Sequence, residues 1–196
     1  MEVLQALPRH KLREELLRCC HSQTWVDAVL DRMPFSSEEE ARAALDDCWA
    51  KLMPADYLEA FAAHPAIGDK EALREKFAPS RSGWEGAEQA AAAGASEAVL
   101  DELSELNREY REKNGFVFLV CASGLSAEVI LALLKARLPN DRDSEVKNAA
   151  EEQRKITQLR FARLLGEIGK PTAVERCGGD GSSGKPSRQR CPSSRL

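Results

Sequence analysis

Residues 144–168, SEVKNAAEEQRKITQLRFARLLGEI, are the stretch of sequence that decides the fold. On a helical wheel most apolar side chains of this stretch fall on one broad arc, which is typical of a helix packed against a core. Asp143 or Ser144 can cap its first turn. The stretch therefore predicts one long helix whose inner face contains Val146, Ala149, Ala150, Ile156, Phe161, Leu164 and Ile168.

The rest of the chain repeats this pattern in shorter pieces, separated by breaks that contain Pro, Gly, Asn or Asp. Strand signals are nearly absent, and Ser37 before three glutamates is typical of a helix start. We therefore predict an all-α fold, a single-domain bundle of eight to nine helices. The predicted helices cover about residues 9–20, 23–31, 37–52, 55–63, 69–77, 84–93, 96–113, 126–138 and 144–168.

Residues 116–122, FVFLVCA, break the helical pattern with a continuous apolar run between Asn114-Gly115 and Ser123-Gly124. The run is compatible with a buried strand, but no neighbouring stretch offers a partner strand. We interpret it as a buried irregular segment that enters a helix at Ser126. Its backbone amides then need hydrogen-bond partners, and a ligand is one possible source of them.

The helical pattern ends near residue 170, so we predict one domain over residues 1–170. Of the 26 residues in 171–196, 12 are Gly, Ser or Pro, and no apolar periodicity remains. Such a composition buries too little apolar surface to fold, which predicts a disordered tail over residues 171–196.

The charge distribution argues against a nucleic-acid-binding protein. The net charge is −4, and the tail carries five basic and two acidic residues, which leaves −7 for residues 1–170. Phosphate neutralisation requires clustered Lys and Arg, which an acidic body lacks. No apolar run approaches the roughly 18 residues of a membrane span. Residues 1–17 indicate a charged amphipathic helix rather than a signal peptide, so we expect neither nucleic acid nor a membrane as partner.

The cysteines show neither a C-x-x-C pair nor a zinc-type spacing. We interpret them as reduced thiols of a reducing compartment, with a disulfide framework as the alternative. They are Cys19, Cys20, Cys48, Cys121, Cys177 and Cys191.

Arg160 is the candidate functional residue with the clearest pattern, because it falls inside the apolar arc of the last helix, with Gln153 and Thr157 beside it. A buried arginine keeps its charge and needs an anionic partner. That partner is either a structural carboxylate or the carboxylate of a bound substrate.

His64 and Glu88 are two further candidates. His64 ends a predicted helix before Pro65, where the helix dipole should raise the pKa of the imidazole towards the range useful for proton transfer. The alternative for His64 is a helix-capping role, which the residue taken alone favours, and the alternative for Glu88 is a position on a solvated helix face, likewise favoured by that residue alone. Motifs for phosphate loops, dinucleotide binding, zinc proteases and serine hydrolases are absent, and His10 and His21 lie in a separate helical region. We therefore expect acid–base chemistry with no metal site and no cofactor.

Four stretches, in their order and spacing, resemble the 2-oxo-4-hydroxy-4-carboxy-5-ureidoimidazoline (OHCU) decarboxylase family. The resemblance covers roughly residues 20–168 and implies an all-helical domain that forms a homodimer. It also implies a cofactor-free enzyme of urate degradation that converts OHCU to (S)-allantoin and CO2. The stretches are HPAIGD at 64–69, WEGAEQ at 84–89, LNREY at 106–110 leading into 118–122, and KITQLR at 155–160.

The resemblance also implies the roles of the site residues. His64 is the catalytic proton donor, with Glu88 and Arg160 as its catalytic partners. Glu85 occupies a position where the family often has Ser, and it can cap its helix together with Ser82. The implied substrate-binding residues are Pro65, Glu85, Gly86, Ala87, Glu88, Gln89, Phe118, Leu119, Val120, Cys121, Ala122 and Arg160.

Two other functions are compatible with the same fold, a non-catalytic helical interaction protein and a hydrolase of a related ureido compound. The residues Ser194-Arg195-Leu196 resemble the Ser-Lys-Leu peroxisomal address. We therefore expect a peroxisomal location through the import receptor, with a cytoplasmic location as the alternative.

Overall fold

The computed structural model of the protein describes residues 1–64 and 96–168. These residues form eight α-helices and no strand, which confirms the predicted all-α fold. The predicted helices 69–77 and 84–93 and the predicted tail 171–196 lie outside the described residues. The observed helices are α1 (Glu2–Gln5), α2 (Arg9–Cys19), α3 (Gln23–Leu30), α4 (Glu38–Ala50), α5 (Pro54–Ala62), α6 (Glu97–Asn114), α7 (Ala127–Arg137) and α8 (Arg142–Ile168).

Two helix starts differ from the sequence prediction. Residues 1–17 do not form one helix, because Pro8 separates α1 from α2 and takes the N-cap position of α2. Helix α8 begins at Arg142, before the predicted caps Asp143 and Ser144. Its first turn is held by Asp141, whose carboxylate accepts a hydrogen bond from the Ser144 N–H at 2.9 Å.

Helix α8 is the centre of the fold and contacts α1, α2, α4, α5 and α6. Trp49 links α4 to α8, because its indole Nε1 donates a hydrogen bond to the Ala150 carbonyl at 3.1 Å. Ile156 and Ile168 are only half buried, whereas the other predicted apolar residues of the inner face are buried. The same face also buries three polar side chains, those of Glu145, Gln153 and Thr157.

The segment 116–122 connects α6 to α7 as the irregular stretch that the sequence predicts. Gly115 ends α6 with φ +79°, a left-handed conformation that glycine adopts without strain. Phe116 and Phe118 then pack edge-on against the ring of Tyr110. Ser126 caps α7 as expected, with its hydroxyl accepting from a backbone N–H. The segment is therefore anchored at both ends and by its aromatic side chains.

The described cysteines are all free thiols. Cys19, Cys20 and Cys48 are buried, and Cys121 is half buried. Within residues 1–64 and 96–168 no helix combines the length and the apolar character needed to cross a bilayer.

Candidate active site

His64 follows α5 closely, and two hydrogen bonds to other described residues fix its position. Its backbone N–H donates to the Phe61 carbonyl at 3.1 Å, which tightens the end of the helix. The imidazole is half buried, and its Nε2 lies 2.5 Å from Oε1 of Gln153 on α8. The side chain is therefore held between the C-terminal end of α5 and the middle of α8.

Gln153 and Thr157 lie one turn apart on the inner face of α8, and both are buried. Gln153 Nε2 donates to Thr157 Oγ1 at 3.1 Å, and the Thr157 hydroxyl donates to the Gln153 carbonyl at 2.9 Å. Buried polar groups of this kind need such partners. Sequence reasoning noted both residues beside Arg160 but gave them no role in the site. Their spacing of four on an apolar face is the signal that could have identified them.

Burial lowers the pKa of the His64 imidazole below its ordinary value, and the charges of Arg160 and His21 act in the same direction. The hydrogen bond to Gln153 favours the charged form without offsetting these effects. The upward shift expected from the helix C-terminus is therefore wrong, because desolvation and a nearby guanidinium outweigh the helix dipole. His64 is mainly neutral at neutral pH in the ligand-free protein.

Arg160 is half buried, and not fully buried as its place on the wheel suggests. Its Nη1 lies 3.4 Å from the Cys19 carbonyl and 3.5 Å from the Arg18 carbonyl, at the C-terminal end of α2. Helix-end carbonyls carry partial negative charge, but hydrogen bonds of this length are weak. The guanidinium therefore retains most of its capacity to bind an anion.

A cavity of about 250 Å³ opens beside the Arg160 guanidinium. Glu15 and Glu167, the two acidic residues of its described wall, pair with Arg18. Among the described residues, no structural carboxylate is thus paired with Arg160. The described lining consists of Glu15, Arg18, Cys19, Arg160, Arg163, Leu164 and Glu167.

The thiols of Cys19 and Cys20 lie close to Arg160 and are poor nucleophiles. Burial raises the pKa of Cys19 to about 12 and that of Cys20 to about 11, despite the opposing charge of Arg160. A thiol attacks as its thiolate, and these thiols remain protonated at neutral pH. Neither Cys19 nor Cys20 is therefore suited to act as a nucleophile in the site.

The predicted substrate-lining segment 118–122 is bound to the same turn of α8 as His64. The Cys121 N–H donates to Glu152 Oε2 at 2.7 Å, one residue before Gln153. Phe118 and Leu119 are buried, whereas Val120, Cys121 and Ala122 are half buried. The fold therefore brings His64 and this segment to adjacent residues of one helix.

A buried ion pair holds the other end of the segment. Arg137 donates to Glu145 at 2.8 Å and, through Nη1, to the Leu119 carbonyl at 2.8 Å. Glu145 also accepts from the Tyr110 hydroxyl at 2.5 Å. Burial raises the pKa of Glu145, but the hydrogen bonds from Arg137 and Tyr110 outweigh it, and the pKa lies below its ordinary value. The carboxylate thus stays charged.

His64 and the segment 118–122 bond to neighbouring residues of α8, whereas Arg160 lies about two turns further along that helix and lines a cavity whose described wall includes neither of them. The remaining predicted site residues lie outside the described residues, and their places in the site stay predictions. They are Pro65, Glu85, Gly86, Ala87, Glu88 and Gln89.

Comparison with known proteins gives a consistent result. Residues 5–162 match the family model for OHCU decarboxylase. The uric acid degradation bifunctional protein TTL of Arabidopsis thaliana is 38% identical over 154 residues, 78% of this chain and 47% of the relative. The chain therefore spans about half the length of that relative. An OHCU decarboxylase of Haloferax volcanii is 26% identical over 72% of this chain and 81% of its own length.

The fold also resembles solved structures. The crystal structure of an OHCU decarboxylase in the presence of (S)-allantoin matches with a TM-score of 0.63 and 33% identity, over 78% of this chain and 98% of that chain. The crystal structure of an (S)-allantoin synthase, at 22% identity and a TM-score of 0.60, supports the fold alone. It covers 85% of this chain and 53% of that chain. The sequence-based assignment is thus confirmed, and the chain belongs to the OHCU decarboxylase family, a family of carboxy-lyases that act in urate degradation.

Proposed function

We propose that this chain decarboxylates OHCU to (S)-allantoin and CO2, with His64 as general acid. Arg160 binds a negatively charged group of the substrate, and Glu88 aligns His64 or a polar group of the substrate. The observation that supports this most directly is the hydrogen bond between His64 and the buried Gln153, within electrostatic reach of Arg160. A proton-transfer group and an anion-binding group are the two functions that this reaction needs from the protein.

In the proposed reaction the bond between the ring carbon and the carboxylate breaks, and CO2 leaves. The electron pair moves through the adjacent ring imine to its nitrogen, which leaves an enol at the carbon that carried the carboxylate. The neighbouring carbon, which bears the ureido group, then takes a proton from His64, which approaches one face only, while the hydroxyl proton passes to the ring nitrogen and the C–OH becomes the ring carbonyl. Delivery to one face accounts for a single enantiomer of the product.

The proton on His64 is proposed to arrive with the substrate. In the ligand-free protein the imidazole is mainly neutral, because burial and the charge of Arg160 lower its pKa. A substrate carboxylate bound at Arg160 cancels part of that positive charge and so favours the imidazolium form. Substrate binding would therefore charge the acid that the next step consumes.

The segment 118–122 is proposed to cover the reacting groups. Its apolar side chains limit the entry of water, which strengthens the interaction between Arg160 and the substrate carboxylate. The hydrogen bonds from the Cys121 N–H to Glu152 and from Arg137 to the Leu119 carbonyl support this role, because they fix the segment beside the turn that holds His64.

The test generates OHCU in situ from urate and follows both circular dichroism and CO2. We expect the protein to accelerate CO2 release and to produce optically active (S)-allantoin. Loss of OHCU without CO2 would favour a hydrolase of a ureido compound. Unchanged kinetics and a racemic product would favour a non-catalytic interaction protein and would overturn the proposal.

Homodimer formation and peroxisomal location are further parts of the proposal. Sedimentation equilibrium tests the first, and a single species with the mass of one chain would refute it. A fluorescent fusion that ends in Ser194-Arg195-Leu196 tests the second, since removal of the tripeptide should leave the fusion diffuse in the cytoplasm. A full-length fusion that is already diffuse would refute the peroxisomal address.

A further inference from the structure

We infer that Gln153, held by Thr157, is a positioning residue that keeps a proton on Nε2 of His64 and leaves Nδ1 to exchange the proton with the substrate. The inference rests on the proposed function for its catalytic meaning. The hydrogen-bond arrangement that carries it involves only the chain itself.

The Thr157 hydroxyl is the first step in the argument. A hydroxyl has one proton, and this one is directed at the Gln153 backbone carbonyl, with the two oxygens 2.9 Å apart. Towards the Gln153 side chain, 3.1 Å away, Thr157 Oγ1 can therefore only accept a hydrogen bond. The amide group of Gln153 that faces Thr157 must be the NH2 group.

The orientation of the Gln153 amide then determines the tautomer of His64. With its NH2 group towards Thr157, the amide presents Oε1 to the imidazole, 2.5 Å from Nε2. A carbonyl oxygen only accepts, so Nε2 of His64 must carry a proton. In the neutral ring this leaves the lone pair on Nδ1.

Burial makes this orientation the stable one. Gln153 is 1% exposed and Thr157 is 4% exposed, so water does not replace a lost hydrogen bond. If the Gln153 amide were reversed, the Thr157 hydroxyl would have to donate to Gln153 Oε1 and would lose its hydrogen bond to the Gln153 backbone carbonyl. The observed arrangement therefore satisfies one more hydrogen bond inside the protein.

The tautomer matches the proposed proton transfer. The imidazolium carries protons on both nitrogens, and its Nδ1 proton passes to the ring carbon that bears the ureido group, next to the carbon that has lost CO2. The ring that remains is neutral with its proton on Nε2, which is the form that Gln153 stabilises. Among the described residues, the charges of Arg160 and His21 reach His64, and they disfavour the imidazolium but do not select between the nitrogens.

The experiment measures the two ring nitrogens of His64 by NMR in the ligand-free protein at a pH above the pKa of His64. We expect the wild type to hold the Nε2–H form. Thr157→Val should populate the Nδ1–H form, because the amide loses the partner that fixes it, whereas Thr157→Ser should keep the Nε2–H form. Gln153→Glu should also keep it, since a carboxylate only accepts, and should raise the pKa of His64.

Gln158→Met is the matched control. Gln158 lies on the same helix and bonds to the Arg42 carbonyl and to Asp46. The control should leave the tautomer unchanged even if it lowers stability.

For OHCU turnover, we expect Thr157→Val to lower kcat about 10- to 100-fold with a smaller change in KM, the loss typical of a displaced catalytic group.

The outcomes separate this inference from the proposed function. A wild-type ring in the Nδ1–H form, or in a mixture, would overturn the inference even if the protein makes (S)-allantoin. A Nε2–H ring in a protein that does not release CO2 would refute the proposed function and leave the hydrogen-bond assignment standing. A Thr157→Val variant with a mixed tautomer and unchanged kcat would refute the positioning role alone.

Discussion

Glu152 accepts a hydrogen bond from the backbone N–H of Cys121 at 2.7 Å, directly beside the residue that bonds to His64. One turn of α8 thus binds the proposed substrate wall and the proposed general acid. Because Gln153 is buried in that turn, the wall and the acid share a rigid support. The geometry of the site should therefore respond to changes in this turn that touch neither His64 nor the substrate.

Replacing Glu152 with Ala should release the segment 118–122 without removing a catalytic group. A hydrogen bond to a charged acceptor contributes about 1.5–3 kcal/mol, and its loss frees the Cys121 amide. We expect a several-fold higher KM for OHCU and faster hydrogen exchange at the Cys121 N–H.

The control for Glu152→Ala is Lys155→Met, because Lys155 pairs with the other oxygen of Glu152 at 2.7 Å. This variant removes the ion pair but keeps the bond to Cys121, so KM and exchange at Cys121 should be unchanged. Equal effects of the two variants would show that the ion pair, and not the bond to Cys121, fixes the segment.

The fold could be predicted from the sequence to a large extent, because apolar periodicity is a local signal. The pattern of residues 144–168 correctly predicts the central helix, and the isolated apolar run 116–122 correctly predicts an irregular segment. The predicted start of α8 lies too late, because Asp141, Asp143 and Ser144 are all good caps and the side chain that accepts the capping hydrogen bond is that of Asp141.

The candidate site could be predicted less completely, since its contacts join residues far apart in the chain. Nothing near His64 in sequence indicates that its partner is Gln153, 89 residues later. The direction of the His64 pKa shift was predicted wrongly for the same reason, because the helix end is local whereas burial and Arg160 are tertiary effects. The wheel predicts a buried Arg160, whereas the side chain is half buried and its partners are the end carbonyls of α2, which the wheel does not show.

Replacing Arg137 with Met should strongly destabilise the protein. Glu145 is fully buried, and the substitution leaves its charge without its ion-pair partner, which typically costs about 3–5 kcal/mol. It also removes the donor to the Leu119 carbonyl. We expect a correspondingly lower free energy of unfolding in urea. Lys135→Met, which breaks an exposed pair on the same helix, should change it by less than about 1 kcal/mol.

Arg137→Met should also change the pH at which the free energy of unfolding falls in acid. Glu145 has a folded-state pKa below its ordinary value, so its contribution is present above that ordinary value and is lost as pH falls through the lowered pKa. Without Arg137 the folded-state pKa of Glu145 rises, and the stability that this carboxylate contributes should be lost at a higher pH. Urea unfolding between about pH 3 and 6 measures the shift. If the free energy of unfolding fell at the same pH in the wild type and in Arg137→Met, Arg137 would be excluded as the cause of the lowered pKa of Glu145.

Replacing His64 with Ala and Arg160 with Ala should separate proton transfer from binding. Loss of a general acid lowers kcat by about 10²- to 10⁴-fold, so His64→Ala should abolish stereospecific turnover. Arg160→Ala should mainly raise KM, since it removes a charge-assisted bond to the substrate. Steady-state kinetics with circular dichroism detection measures both effects. His10→Ala, an exposed histidine on α2, is the control and should behave as wild type. Optically pure (S)-allantoin at a normal rate from His64→Ala would refute the role of His64.

Replacing Arg160 with Gln should raise the pKa of His64 in the ligand-free protein. Burial is the largest cause of the lowered value, and the charge of Arg160 adds to it, so removing that charge should recover part of the shift. Arg160→Lys keeps the charge and should leave the pKa low. Arg163→Gln changes a guanidinium of the same cavity that does not act on His64, and it should also have no effect. NMR titration of His64 measures all three variants.

Because a bound anion should act as Arg160→Gln does, the wild type should also take up protons when it binds a substrate-like carboxylate near pH 7. Calorimetry in buffers of different ionisation enthalpy would detect this uptake, and its absence would mean that His64 does not gain its proton with the substrate.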